Sequence, residues 1–115
     1  MEDLKIFEEK TQVSGTNDYS IQSKYSLVRK GYIQDAFLKS FVANPNVSRS
    51  PIINWGYFVR HCAIQFGLDW IRSLSRNINP GSEAFQNVFV SFGAGFDTLA
   101  LRNPQIPFVE LDYTS

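Results

Sequence analysis

The sequence predicts an α/β fold, in which a helical N-terminal region precedes the first strands of a parallel sheet. Three observations lead to this prediction. Apolar residues recur at helical spacing up to about residue 76. A continuous apolar run of strand length, residues 88–92, is followed at once by the glycine turn 93–95. A second predicted strand, residues 108–112, follows a break at Asn103-Pro104-Gln105.

These patterns place a boundary near residue 80. Residues 1–80 are predicted to form a helical N-terminal cap region, and residues 81–115 the first strand–helix–strand portion of a second domain. Parallel strands joined by a helix form a βαβ unit, which needs further strands to cover its faces. Since the chain stops at Ser115, where the next helix is expected, the sequence predicts an incomplete domain.

The first two predicted helices begin at side chains that can cap a helix. Asn17 or Asp18 is predicted to cap a helix over residues 20–30. Asp35 is predicted to cap a second helix. The face expected to be apolar in the first helix is Ile21, Tyr25 and Val28, and in the second Phe37, Leu38, Phe41 and Val42.

A third helix follows the break at Asn44-Pro45-Asn46. Ser50 is a favourable N-cap, and Pro51 suits the first helical position because its missing N–H would have no intrahelical partner there. The helix is expected to run to about Ser75. Its predicted apolar stripe is Ile53, Tyr57, His61, Ile64, Leu68, Ile71 and Leu74.

Composition excludes several classes of protein. A hydrophobic fraction of 43% with 19% charged residues excludes a disordered chain. Eleven basic and eleven acidic residues cancel, which removes overall charge as an argument for binding nucleic acid or membranes. The sequence has no 18-residue apolar run, and its first ten residues are too charged for a signal peptide. We therefore expect a soluble, cytoplasmic protein.

Charge is nevertheless distributed unevenly. Residues 11–60 carry six basic side chains against only Asp18 and Asp35. Such an excess is typical of a solvated face. The alternative is a basic wall that receives an anionic ligand.

The glycine turn at 93–95 is the first part of a nucleotide-binding fingerprint. Glycine tolerates positive φ and lets a ligand approach the backbone. Position 98 is Thr, where the dinucleotide motif has its third glycine, which disfavours NAD and leaves the looser pattern of S-adenosylmethionine binding. A tight turn without a ligand is the alternative.

An acidic residue closes the second predicted strand. Asp112 lies seventeen residues after Gly95, where an acid in a Rossmann-like unit accepts hydrogen bonds from ribose hydroxyls. Glu110 lies two residues earlier, on the same face of the strand, and is the competing candidate.

No metal site or nucleophile pair is predicted. His61 and Cys62 are neighbours, but successive helical residues point about 100° apart, which prevents a direct pair. No cluster of histidines or cysteines suggests a metal.

Four segments resemble the leucine carboxyl methyltransferase family. The first is Gly15-Thr16-Asn17-Asp18-Tyr19-Ser20-Ile21-Gln22-Ser23-Lys24 with Gly31-Tyr32-Ile33-Gln34-Asp35, and the second is residues 49–60. The third and fourth, residues 92–98 and 109–112, are similar to the family's cofactor blocks. The segments occur in family order, and the first is most similar to the wybutosine-synthesising branch.

The resemblance implies an N-terminal helical cap followed by a Rossmann-like S-adenosylmethionine-dependent methyltransferase fold. It implies methylation of a carboxylate, in wybutosine biosynthesis on phenylalanine tRNA. The alternative substrate is the C-terminal leucine carboxylate of the protein phosphatase 2A catalytic subunit. An inactive truncated paralogue is the non-enzymatic alternative.

The resemblance also implies roles for single residues. Lys24 and Arg60 match basic residues that face the methionine carboxylate of S-adenosylmethionine. Gly93 matches the glycine of the first turn, and Asp112 matches the acid that binds the ribose. Trp55 stands where the family usually has arginine, which removes one expected basic contact. No catalytic base is assigned.

Overall fold

The computed structural model describes residues 18–78, 81 and 87–112 of the 115-residue chain. Its regular elements in chain order are α1 (18–29), a 3₁₀ turn (Leu38–Ser40), α2 (Pro51–Ile78), β1 (Phe89–Phe92), α3 (Leu99–Arg102) and β2 (Phe108–Leu111). This combination of helices with a short parallel sheet agrees with the predicted α/β class. That it begins a Rossmann-like sheet stays a prediction.

The chain divides into two compact units, Met1–Tyr57 and Phe58–Ser115, with the division inside α2. The domain boundary predicted between residues 80 and 81 stays a prediction, because residues 79–80 and 82–86 lie outside the described part. Asn17, one of the two proposed helix caps, also lies outside it.

In the first unit, a glycine follows the end of α1. Gly31 has a φ of +78°, a left-handed conformation that glycine adopts without a steric penalty. The N–H of Gly31 donates to the carbonyl of Val28 (3.1 Å), and that of Tyr32 donates to the carbonyl of Leu27 (2.9 Å). These two bonds form a Schellman motif, which satisfies carbonyls that a helix end would otherwise leave unpaired.

The core of the first unit contains serines as well as apolar side chains. Leu27 and Leu38 are 0% and 1% exposed, and Ile21 is 3% exposed. Ser23 and Ser26 on α1 are each 0% exposed. The predicted face of α1 is thus buried at Ile21, but the most deeply buried side chains of the helix include two serines that the apolar pattern does not mark.

The predicted second helix is shorter than expected. The carboxylate of Asp35 accepts hydrogen bonds from the N–H groups of Phe37 (2.9 Å) and Leu38 (3.2 Å), but the N-cap of the element that follows is Phe37 rather than Asp35. Only the 3₁₀ turn Leu38–Ser40 follows. Phe37 and Phe41 remain 41% and 38% exposed, and a short helix that buries so little of its apolar face has little to stabilise it.

Helix α2 begins at Pro51, as predicted, and is 28 residues long. Its predicted stripe is buried at Leu68, which is 5% exposed, but Ile64, Ile71 and Leu74 are each more than 40% exposed. The opposite face is apolar too, since Trp55, Val59, Phe66 and Trp70 are each more than half exposed. Apolar residues around a whole helix are typical of helices buried on all sides.

In the second unit, β1 and β2 form a parallel pair. Phe89 lies opposite Phe108 and Phe92 opposite Leu111. The rings of Phe89 and Phe108 lie 5.6 Å apart between centroids, a distance typical of stabilising aromatic pairs. Because the strands are parallel, their carboxyl ends meet at one edge, and this edge carries the residues described next.

Candidate cofactor site

A two-glycine turn follows the carboxyl end of β1. Gly93 and Gly95 have φ values of +65° and +53°. The N–H of Gly93 donates to the carbonyl of Leu111 over 2.7 Å, and the N–H of Ala94 donates to the same carbonyl over 3.3 Å. The turn thus folds back onto the end of β2 with left-handed backbone at both glycines, a conformation that glycine adopts without a steric penalty.

Open space lies beside the first glycine. A Cβ added to Gly93 would meet no heavy atom within 4 Å. Its φ of +65° therefore restricts this position to glycine through backbone conformation rather than through crowding. An approaching ligand would meet bare backbone there.

Asp112 lies across the edge from this turn. Because Phe92 pairs with Leu111, the next residues along the two strands are Gly93 and Asp112. The Oδ2 atom of Asp112 accepts a hydrogen bond from the N–H of Gly95. The turn therefore fixes the orientation of a carboxylate that is exposed to solvent, and such a carboxylate can accept hydrogen bonds from ligand hydroxyls.

Glu110, the competing acid, has different surroundings. It lies opposite Ser91 in the middle of the strand pair, one pair away from the carboxyl edge. Its side chain is exposed, and no hydrogen bond joins it to the glycine turn among the described residues. Geometry thus distinguishes two acids that the sequence leaves as alternatives.

The segment after the turn leads into α3. The N–H of Asp97 donates to the carbonyl of Ala94 (2.9 Å), and the Asp97 carboxylate accepts from the N–H of Leu99 (3.1 Å). Thr98, at the position of the third glycine of the dinucleotide motif, is 2% exposed. The helix of the predicted strand–helix–strand portion is thus short, Leu99–Arg102.

The end of α3 is joined to α2 within the second unit by an amide pair. The Nε2 atom of Gln65 donates to Oδ1 of Asn103 (3.2 Å), and Nδ2 of Asn103 donates to the carbonyl of Leu99 (2.9 Å). Asn103 is 5% exposed. These bonds hold the helix that follows the glycine turn against α2.

The two predicted basic residues belong to different units. Lys24 lies on α1 in the first unit and is half-buried. Arg60 lies on α2 in the second unit, with Gly93 and Asp112, and is exposed. The structure brings Gly93 and Asp112 together at one edge, and the roles of Lys24 and Arg60 stay predictions.

The first unit contains a buried polar network that the sequence analysis does not predict. Ser26 Oγ donates to Oδ1 of Asn54 over 2.9 Å and accepts from the N–H of Arg49 over 2.9 Å. Asn54 Nδ2 donates to the carbonyl of Arg49 over 3.1 Å. Ser26 and Asn54 are 0% and 2% exposed. Asn54 lies in the segment 49–60 that resembles the family, which is the signal that could have marked it, whereas Ser26 lies outside the resembling segments.

The side chain of Arg49 extends this network along α1. Its guanidinium carbon lies 4.4 Å from the centroid of the Tyr19 ring, a cation–π distance. Its Nε atom donates to Ser23 Oγ over 3.2 Å, and Nη2 donates to Gln22 Oε1 over 3.4 Å. Arg49 thus contacts successive turns of α1 through a ring, a hydroxyl and an amide.

In residues 18–78 and 87–112, no three histidine, cysteine, aspartate or glutamate side chains are grouped to hold a metal ion. No helix in the same ranges is long and apolar enough to cross a membrane. Cys62 is an exposed free thiol.

Comparison with known proteins identifies relatives. An Arabidopsis thaliana protein named leucine carboxyl methyltransferase 1 homolog is 39% identical over 106 residues, covering 88% of this chain and 30% of that protein. A human tRNA wybutosine-synthesizing protein 4 is 38% identical over 90 residues, covering 78% of this chain and 12% of that protein. A probable leucine carboxyl methyltransferase 1 of Caenorhabditis briggsae is 34% identical, covering 90% of this chain and 31% of that protein.

These matches cover most of this chain, but the chain spans less than a third of the length of each of these relatives. No family model matches the chain. No solved structure matches it significantly. Relatives carrying both names agree with the resemblance of the four sequence segments, and the chain belongs to the leucine carboxyl methyltransferase family.

Proposed function

We propose that this chain carries the S-adenosylmethionine site of a carboxyl methyltransferase. The observation that carries the proposal is the carboxyl edge of the β1–β2 pair, where the N–H of Gly95 orients the carboxylate of Asp112. A glycine turn and an acid at the ends of neighbouring parallel strands are the arrangement that binds adenosine-bearing cofactors. The names of the relatives support methyl transfer as the reaction.

The residues present fit this cofactor. Asp112 would accept hydrogen bonds from the ribose hydroxyls, and the open space at Gly93 would admit the ligand close to the backbone. The family resemblance assigns Lys24 and Arg60 to the methionine carboxylate, and a guanidinium can pair with a carboxylate through two parallel hydrogen bonds. When bound, S-adenosylmethionine supplies a methyl group on a positively charged sulfur.

Methylation of a carboxylate makes modest chemical demands on the protein. A carboxyl group with a pKa of about 3.5 is already ionised at neutral pH, so no general base is needed. The protein must align the attacking oxygen with the methyl group and exclude water. We therefore assign Lys24, Arg60, Gly93 and Asp112 to binding and orientation, and no residue to proton transfer.

The preferred substrate is the wybutosine precursor on phenylalanine tRNA, in the cytoplasm. Arg29, Lys30 and Lys39 are exposed basic side chains of the first unit, which suit contacts with a phosphate backbone. The guanidinium of Arg29 donates to the carbonyl of Val47 over 2.8 Å, which holds it at the surface. The leucine carboxylate of the protein phosphatase 2A catalytic subunit is the alternative, because relatives carry both names.

Calorimetry of the full chain tests the cofactor assignment. We expect binding of S-adenosylmethionine or its demethylated product, and none of NAD. The Asp112→Ala variant should lose about 1–3 kcal/mol of binding free energy, the scale of a charged hydrogen bond. The matched control is Glu110→Ala, which removes the neighbouring acid and should leave the affinity unchanged.

Three other outcomes would each contradict one part of the proposed function. Equal affinity of Asp112→Ala and the unaltered chain would exclude Asp112 from the site. A loss confined to Glu110→Ala would assign the ribose contact to the other acid. A folded chain that binds neither cofactor would favour the inactive paralogue.

A further inference from the structure

We propose that the loop of residues 30–46 is a platform on which unpaired bases of a single-stranded RNA stack. The proposal rests on the proposed function in taking an RNA as the substrate, and it concerns the first compact unit alone. The evidence is the exposure of aromatic and basic side chains along one closed loop.

The loop begins where α1 ends and returns to that point at Val47. The guanidinium of Arg29, the last residue of α1, donates to the carbonyl of Val47 over 2.8 Å, so one side chain joins the two ends of the loop. Leu38 and Val47, which are 1% and 8% exposed, anchor the loop in the core. Compact surface loops whose ends are close together are frequently functional.

Three aromatic side chains of the loop are accessible to solvent. Tyr32, Phe37 and Phe41 are 36%, 41% and 38% exposed. Phe37 and Phe41 flank the 3₁₀ turn, in which the N–H groups of Ser40 and Phe41 donate to carbonyls three residues earlier, each over 3.1 Å. At a rise of about 2 Å per residue, the two phenylalanines are about 8 Å apart along this turn. One short, hydrogen-bonded element thus presents both rings.

The charges that the loop exposes are positive. Lys30 and Lys39 are exposed, as is Arg29 at the start of the loop. The one acid in residues 30–46, Asp35, is only 9% exposed, and its carboxylate accepts hydrogen bonds from the N–H groups of Phe37 and Leu38. A phosphate backbone would therefore meet cations and no exposed carboxylate along the loop.

The combination of rings and cations favours an unpaired strand. Bases in a duplex stack on one another, whereas the unstacked bases of a single strand can stack on aromatic side chains. The exposed rings of Phe66 and Trp70 in the second unit differ, because the exposed carboxylate of Asp69 lies beside them on α2 and would repel phosphates. Charge complementarity thus distinguishes loop 30–46 from that aromatic face.

The experiment measures binding of the full chain to a fluorescently labelled, unstructured RNA of about 12 nucleotides and to a duplex of the same sequence. Phe37→Leu removes a ring but keeps an apolar side chain, and Phe37→Tyr keeps the ring. We expect Phe37→Leu to weaken binding of the single strand about tenfold, the scale of one base–aromatic stack, and Phe37→Tyr to bind like the unaltered chain. Phe66→Leu is the matched control, which should bind normally because it makes the same change at an exposed position of α2.

Salt dependence separates stacking from charge. Lys39→Ala should lower the slope of log affinity against log salt by about 0.7, the value for one phosphate contact on a single strand. Phe37→Leu should lower the affinity and leave that slope unchanged. Thermal melting shows that each variant is folded, and if Phe37→Leu is not, Phe41→Leu provides the same test.

The outcomes separate this inference from the proposed function. Equal affinity for the single strand and the duplex, or equal affinity of Phe37→Leu and Phe37→Tyr, would overturn the stacking platform and leave the cofactor site standing. A loss in Phe37→Leu that affects only an acidic peptide would assign the loop to a protein partner and overturn the inference. Binding of the single strand by a folded chain that does not bind S-adenosylmethionine would overturn the proposed function and leave the platform standing.

Discussion

Replacing Ser26 with alanine removes a single hydroxyl from the core of the first unit. That hydroxyl donates to Oδ1 of Asn54 and accepts from the N–H of Arg49, each over 2.9 Å. The substitution leaves one buried acceptor and one backbone donor without their partner. It removes no carbon atom, so the loss in stability comes from hydrogen bonding rather than from packing.

The magnitude follows from those two groups. An unsatisfied buried polar group costs about 1–3 kcal/mol, so two of them bound the loss at about 2–6 kcal/mol. Structural relaxation and alternative hydrogen-bond partners reduce this loss, so we expect Ser26→Ala to lower the free energy of unfolding by about 2–3 kcal/mol. The total free energy of unfolding of a domain is typically about 5–15 kcal/mol, so this is a large part of it. Alanine is also a slightly better helix former than serine, by about 0.5 kcal/mol, which offsets a little of this.

Urea unfolding followed by circular dichroism measures the change. The matched control is Ser48→Ala, an exposed serine in the segment before α2, for which we expect a change within about 0.5 kcal/mol. The slope of the free energy of unfolding against urea concentration should be the same for the unaltered chain, Ser26→Ala and Ser48→Ala. A loss in Ser26→Ala no larger than in the control would refute the argument that the hydroxyl joins α1 to α2.

Two further predictions concern the glycine turn and the substrate. Gly93→Ala places a side chain at a φ of +65° without a steric clash, so only the backbone conformation is penalised. We expect the free energy of unfolding, measured by thermal melting, to fall by about 1–2 kcal/mol. An unchanged melting temperature would contradict the left-handed turn. On the tRNA hypothesis, affinity for phenylalanine tRNA should fall steeply with salt, and Lys30→Ala should lower the slope of log affinity against log salt by about one. Salt-independent binding, or methylation of the phosphatase tail alone, would favour the alternative substrate.

Local signals in the sequence predict much of the described fold. Ser50-Pro51 marks the start of α2, because proline suits only the first turn of a helix. Gly93 and Gly95 mark the turn after β1, because both need positive φ. Asp112 follows from its place at the end of a parallel strand. Each of these features depends on a few neighbouring residues.

Features that depend on tertiary packing are not predictable in this way. The helix expected after Asp35 is a single 3₁₀ turn, because its phenylalanines find too little cover. Apolar periodicity does not mark Ser23, Ser26 or Asn54, since their burial depends on partners distant in sequence. Lys24 and Arg60 enter as candidates through family resemblance, because an isolated basic residue carries no pattern of its own.

The central claim is that the carboxyl edge of the β1–β2 pair binds S-adenosylmethionine. The most direct test is a titration of the ¹⁵N-labelled full chain with S-adenosylmethionine, followed by amide chemical shifts. We predict saturable shifts at the amides of Gly93, Gly95 and Asp112, and their loss in Asp112→Ala. Saturable binding that leaves these three amides unshifted, or no binding by the folded chain, would contradict the account.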